Sequence, residues 1–105
     1  MFGTVKSAAI TGIDSHMVAV EADVSDGLPG FSMVGDLSSE VREAQDRVRT
    51  ALRNSGYHLQ PRKITVNLAP GDIRKFGAGF DLPISFAVMA AYGYLPQKIL
   101  NGFFF

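Results

Sequence analysis

The chain has 105 residues, 47% of them hydrophobic and 19% charged, with ten basic and ten acidic side chains in formal balance. That length holds one compact domain, and that mixture of apolar and charged residues excludes an intrinsically disordered chain. Without cysteine there is neither a disulfide framework nor thiolate chemistry.

The first residues, "MFGTVKSAAITGIDS", have no basic run followed by an apolar core, so no secretory signal is read there. "VKSAAITG" (5–12) reads as a strand broken by Gly12, and "MVAVEADV" (17–24) as a half-buried one. In the latter Val18, Val20, Ala22 and Val24 face one side, and Glu21 and Asp23 the other. "SDGLPG" (25–30) is a turn cluster and "FSMVG" (31–35) a third short strand.

A helix follows. Val41, Ala44, Val48, Ala51, Leu52 and Ser55 recur at steps of three and four, which makes one apolar stripe. Ser38 or Ser39 caps its start, and Gly56 stands where a left-handed residue is wanted past its end. Arg42, Asp46, Arg49 and Arg53 fall on the wet face, and Glu43 and Arg47 form an i,i+4 pair. "KITVNLA" (63–69) is a strand with Ile64, Val66 and Leu68 inward. A loop over 70–80 then leads to a helix from Asp81, read as its N-cap, to about Gly93. That helix is apolar nearly all round, so it is central. The apolar stretch 82–95 contains Pro83, Ser85 and Gly93 and falls short of the roughly 18 residues of a membrane span. The order β-β-β-α-β-α predicts an α+β domain with helices on one face of a mixed sheet. The run 101–105, "NGFFF", reads as the first half of a strand. The chain is therefore expected to end inside its own domain and to self-associate through 101–105.

Charge is unevenly placed. Residues 1–40 carry one base against six acids, and residues 41–80 carry eight bases against three acids. Such asymmetry marks either a basic face that meets an anionic partner or a solvated helix surface. Arg74 and Lys75, just before a helix start, are the leading candidates for anion contact, with Arg62 and Lys63 next. Phe76 and Phe80 bracket that loop, either as stacking platforms or as core plugs.

Other chemistry is poorly supported. No glycine precedes a lysine, so a Walker A phosphate loop is missing, and Gly77-Ala-Gly79 lacks the third glycine of a dinucleotide pattern. His16 and His58 stand alone, and Asp23 and Asp26 flank a turn, so no metal site is read. Ser85, near the start of a buried helix, is a weak candidate nucleophile with Lys63 or Lys75 as base. Both lysines follow an arginine in polar surroundings, which argues against the neutral lysine a nucleophilic dyad needs.

"VEADVSDGLPGFSMVG", "VREAQDRVRTALRNSGYHLQPRKITVNLAPGDIRKFGAGFDLPIS" and "AVMAAYGYL" together resemble the N-terminal part of the magnesium-chelatase-like AAA+ proteins, the ComM/YifB family. The resemblance runs from residue 2 to about 100, and its most specific parts are "VNLAPGDIRK" and "FDLPI". It implies a Lon-protease-like domain with the fold of ribosomal protein S5 domain 2, truncated at its C-terminal end. It also implies a cytoplasmic parent whose ATPase module, absent from this chain, binds ATP and magnesium. The family is linked to hexameric, DNA-dependent branch migration in natural transformation, so the implied partners are neighbouring subunits and DNA, with no membrane. Gly71, Phe76 and Ser85 depart from the residues common at those places. Ser85 lies in "FDLPISF" and not in the G-P-S-A-G setting of a Lon nucleophile, so the implied module is non-catalytic.

Overall fold

The computed structural model describes residues 1–11, 14–71, 75 and 79–102. Strands β1 (Phe2–Thr11) and β2 (Asp14–Ser25) form one long antiparallel ladder, from Phe2 opposite Asp23 to Thr11 opposite Asp14. Both are longer than the alternation predicted, because backbone pairing continues past the residues that carry the apolar pattern. β3 (Gly30–Val34) and β4 (Lys63–Ala69) complete a sheet of order β1-β2-β4-β3. β4 runs antiparallel to β2 and parallel to β3, so the sheet is mixed, as expected. A parallel neighbour requires a long crossover, and the chain spends it on helix.

That crossover holds α1 (Ser39–Arg42) and α2 (Ala44–Asn54) in place of one continuous helix. Glu43 between them keeps near-helical dihedrals (φ −71°, ψ −12°), so the break is a local unwinding within one segment. Ser38 caps the start as predicted, its Oγ accepting from the Val41 amide at 3.3 Å. Gly56 follows the end with φ +90°, a left-handed residue in the place expected. Val41, Ala44, Val48 and Leu52 are buried, whereas Ala51 and Ser55 are exposed, so the apolar stripe is narrower than the spacing implied.

α3 (Asp81–Ala91) lies across β1 and β2 and also touches α2. Its Ile84, Ala87, Val88 and Ala91 are fully buried. Close approach is possible because β1 offers Gly3 there: a Cβ at that position would stand 2.3 Å from the Ala87 carbonyl oxygen. The core joins one parity of each strand (Val5, Val20, Met33, Val66) to the inner stripes of α2 and α3. The opposite sheet face bears Met17, 63% exposed, and a hydrogen bond from Asn67 to Glu21 at 3.2 Å. One face covered and one wet is the usual state of a sheet with antiparallel pairs.

A single turn, α4 (Gln97–Leu100), is too short to show an apolar period in the sequence. It has a definite task. The Gln97 side-chain amide accepts from the Thr4 amide at 2.8 Å and donates to the Thr4 carbonyl at 2.7 Å. It therefore pairs with the β1 edge as a neighbouring strand would. At the other edge the Arg42 guanidinium reaches the Met33 and Gly35 carbonyls, each at 3.4 Å. With its β-β-β-α-β-α order and open mixed sheet, the chain has the α+β, ribosomal protein S5 domain 2-like fold that the resemblance implied. Of the run 101–105, on which the self-association expectation rests, Asn101 and Gly102 form a turn after α4 and not the start of a strand, and residues 103–105 lie outside the described residues.

Candidate functional site

Lys75 is held through its backbone. Its amide donates to the Asp36 carbonyl and its carbonyl accepts from the Ser38 amide, both at 2.8 Å, which joins this residue to the segment linking β3 and α1. Its side chain is fully buried and its ammonium donates to the Pro70 carbonyl. This corrects the sequence reading: a buried lysine engaged with backbone cannot serve as a surface contact for an anion. The polar neighbourhood in sequence concealed a structural residue. Arg74 and Phe76 lie outside the described residues, and Phe80 is a core plug at 4% exposure. Gly79 has ordinary φ and open space around its Cα, so its place in the loop does not demand glycine.

Asp81 also differs from its predicted role. The residue that caps α3 is Phe80, and Asp81 instead takes Arg47 in a two-point ion pair. Arg47 Nε donates to Oδ2 at 2.6 Å and a terminal nitrogen donates to Oδ1 at 2.9 Å. The same guanidinium donates to the Glu40 carbonyl at 2.9 Å, so the fork ties α1, α2 and α3 together. Arg47 is thereby held above its ordinary pKa, chiefly by the hydrogen bond to Asp81. The partner expected by helix spacing, Glu43, loses to a tertiary carboxylate with matching fork geometry. Both side chains remain partly open, at 39% and 32% exposure. A double-mutant cycle with Arg47→Leu and Asp81→Asn is expected to show a coupling that shrinks as salt rises. Salt-independent coupling would mean that packing, not charge, joins the helices.

Ser85 is half-buried, and its Oγ donates back to the Asp81 carbonyl at 2.8 Å, the usual bond of a serine inside a helix. Lys63 is exposed at the start of β4. Among the described residues no group of three His, Asp or Glu is placed to hold a metal. His58 offers its backbone carbonyl to the Tyr94 hydroxyl, and Asp26 is 99% exposed.

A concavity lies elsewhere, at the end of the domain where α2 and α3 both finish. A cavity of about 280 Å³ opens between Gly30, Arg49, Leu59, Arg62, Ile64 and Tyr92. Arg49, on the exposed side of α2, lies over the Phe31 ring with its guanidinium carbon 5.6 Å from the centroid. Among the described residues Arg62 makes a long ion pair, 3.9 Å, to the solvated Asp26. Tyr92 donates to the Gln60 carbonyl at 2.7 Å, and Tyr94 to that of His58, so two tyrosines pin the loop over 57–62. Tyr92 and Tyr94 lie nearly parallel (7°, centroids 6.1 Å apart), and Tyr57 tilts against Tyr94 at 5.6 Å. Burial raises the Tyr92 phenol above its ordinary pKa, while the charges of Arg62 and Arg49 oppose that rise.

Of the predicted contact residues, Arg62 belongs to this place and Lys63 is the next residue along β4; Lys75 does not join them. Arg49 and the three tyrosines were missed. A signal was present: "SGY" and "YGY" put tyrosine beside a glycine that ends each long helix. Gly56 and Gly93 both have positive φ, and the chain reversals they make bring the tyrosines together.

Comparison with known proteins is consistent with the motif reading. A family model described as subunit ChlI of Mg-chelatase matches residues 20–105. The chain belongs to this family. It is 48% identical over 97 residues to the YifB protein of Escherichia coli, covering 92% of this chain and 19% of that protein. It is 45% identical over 101 residues to competence protein ComM of Haemophilus influenzae, covering 96% of this chain and 20% of that one. A Mycobacterium tuberculosis relative is 36% identical over 99 residues, with 94% and 20% covered. The chain thus spans about a fifth of the length of these ChlI-family relatives. No helix among the described residues is long and apolar enough to cross a membrane.

Proposed function

We propose that this domain is a non-catalytic contact module of a cytoplasmic, oligomeric AAA+ ATPase, and that it turns its arginine-bearing edge towards a nucleic-acid strand. ATP and magnesium would be served by an ATPase module, with neighbouring subunits as further partners. The observation that carries the reading is the meeting of Arg49 and Arg62 at one cavity beside exposed aromatic rings. Arg53 stands one turn further along α2, and Lys63 follows Arg62. Guanidinium and ammonium groups neutralise a phosphate backbone, and flat rings stack bases without regard to sequence. The competence role in the name of the Haemophilus relative agrees with a DNA-handling task. Arg74 stays a candidate contact, outside the described residues.

The test is titration of the chain with a labelled single-stranded oligonucleotide across a range of salt. Arg62→Gln with Lys63→Gln is expected to reduce the log–log salt slope by about 1.4, at roughly 0.7 per phosphate contact on a single strand. An unchanged slope would remove nucleic acid as the partner of this edge. The non-catalytic half of the reading predicts that the chain leaves casein intact and that Ser85→Ala changes nothing in that assay. Its support is the engagement of the Ser85 hydroxyl within its own helix. Cleavage that vanishes in Ser85→Ala would overturn it.

A further inference from the structure

We infer that the cavity between Arg49, Arg62 and Tyr92 is a phosphate site that seats one nucleotide unit. This deepens the nucleic-acid reading above and rests on it for the biological source of the ligand, though not for the chemistry of the site.

The chemistry is set by what surrounds the cavity. Two guanidinium groups border it, and no carboxylate is among its lining residues. Among the described residues neither arginine is consumed by a strong ion pair: Arg49 rests on the Phe31 ring and Arg62 reaches Asp26 at 3.9 Å. A tetrahedral dianion can accept from both forks, which a single carboxylate does less completely. Arg49 is also pre-positioned, since stacking on Phe31 limits the rotamers it would otherwise lose on binding. Of the other lining residues, Pro29, Leu59, Pro61 and Ile64 are apolar and Gln60 is polar but uncharged, which suits a sugar rather than a second charge.

Size and aromatic geometry narrow the ligand further. At about 280 Å³ the cavity stands at the lower edge of small-molecule sites, room for one nucleotide and not for an extended ligand. Tyr94, 43% exposed, lies nearly parallel to the cavity-lining Tyr92 and offers a ring on which a base can stack. The loop over 57–62 that forms one wall is tied by two tyrosine hydroxyls, so the site is shaped before any ligand arrives.

The chain carries its own reporter. It has three tyrosines and no tryptophan, and all three tyrosines belong to this cluster. Intrinsic tyrosine emission therefore reads this site. The probes are thymidine 5′-monophosphate, inorganic phosphate and thymidine, titrated at low ionic strength into the whole chain. The monophosphate is expected to bind about a hundredfold more tightly than thymidine, about tenfold for a charge-assisted hydrogen bond from each guanidinium. Arg49→Gln and Arg62→Gln should each weaken it by about tenfold, while Lys6→Gln, exposed on β1 and outside the cavity lining, leaves it unchanged. Circular dichroism establishes that the variants are folded, and Arg62→Lys keeps the charge while removing the fork. Thymidine binding as tightly as its monophosphate, or monophosphate binding indifferent to both glutamine substitutions, would overturn the site. Monophosphate binding without oligonucleotide binding keeps the site and removes the strand-contact function. Oligonucleotide binding indifferent to Arg49→Gln and Arg62→Gln, with monophosphate binding sensitive to both, likewise keeps the site and removes strand contact from this edge.

Discussion

Ile84→Ala is expected to destabilise the domain by about 2–5 kcal/mol, the range for truncating a buried aliphatic side chain to alanine. Ile84 is 0% exposed and lies in the first half of α3, within the cluster that joins that helix to the sheet. Two costs add: the lost transfer of buried methyl and methylene groups, and the cavity left when α3 cannot settle onto the sheet. Settling is resisted because the backbone of α3 already meets β1 at Gly3, leaving no slack at that end. Domains of this size hold only about 5–15 kcal/mol in total, so the substitution removes a large fraction of the stability. Thermal unfolding followed by circular dichroism should show Tm falling by roughly 4–8 °C per kcal/mol lost. Leu82→Ala is the matched control, since Leu82 belongs to the same helix but is 56% exposed. Its expected effect lies within about 0.5 kcal/mol. Equal losses in the two variants would mean that α3 is not the central helix.

Where sequence and structure agree, the agreement has a physical source in periodicity. β4 is found at 63–69 with the inward residues predicted, because strict alternation fixes both the element and its buried face. The inner stripe of α2 and the left-handed Gly56 are equally local properties, set by spacing and by the lack of a Cβ. The misses are tertiary. Asp81 can cap a helix or bind an arginine, and only the packing of α2 against α3 makes the second outcome win. Lys75 in a run of polar residues carries no mark of burial; its place follows from backbone pairing with a segment nearly forty positions earlier. The tyrosine cluster depends on two helices ending at one side of the domain, which neither helix encodes alone. The family motifs were legible as such, yet the residues that shape the cavity lie before "VNLAPGDIRK" or after "FDLPI", outside the two most specific of them.

Gly3→Val sets two predictions of opposite sign against each other, and magnitude decides. By strand propensity the change should help, since β-branched residues are favoured in strands and glycine is not, a span of about 1 kcal/mol. By contact it should harm. The new Cβ would lie 2.3 Å from the Ala87 carbonyl oxygen and 2.9 Å from both the Ala91 nitrogen and the Ala90 Cβ. Two of those three are helix backbone, which cannot rotate away as a side-chain tip can. Overpacking of this kind costs about 1–3 kcal/mol and sometimes more, so destabilisation outweighs the gain in propensity. The strand end has one escape, which is to peel from the helix, and that escape has a visible cost. The Met1 ammonium donates to the Val24 carbonyl at 2.6 Å, and the Val24 amide donates to the Met1 carbonyl at 2.7 Å. Gln97 holds Thr4 at two points beyond. Peeling breaks these, so hydrogen exchange at the Val24 and Thr4 amides should quicken even if Tm falls only slightly. The expected result for Gly3→Val is therefore a lower Tm, faster exchange at those two amides, or both. An unchanged or higher Tm with both amides still protected would show that α3 does not approach β1 as closely as this packing requires.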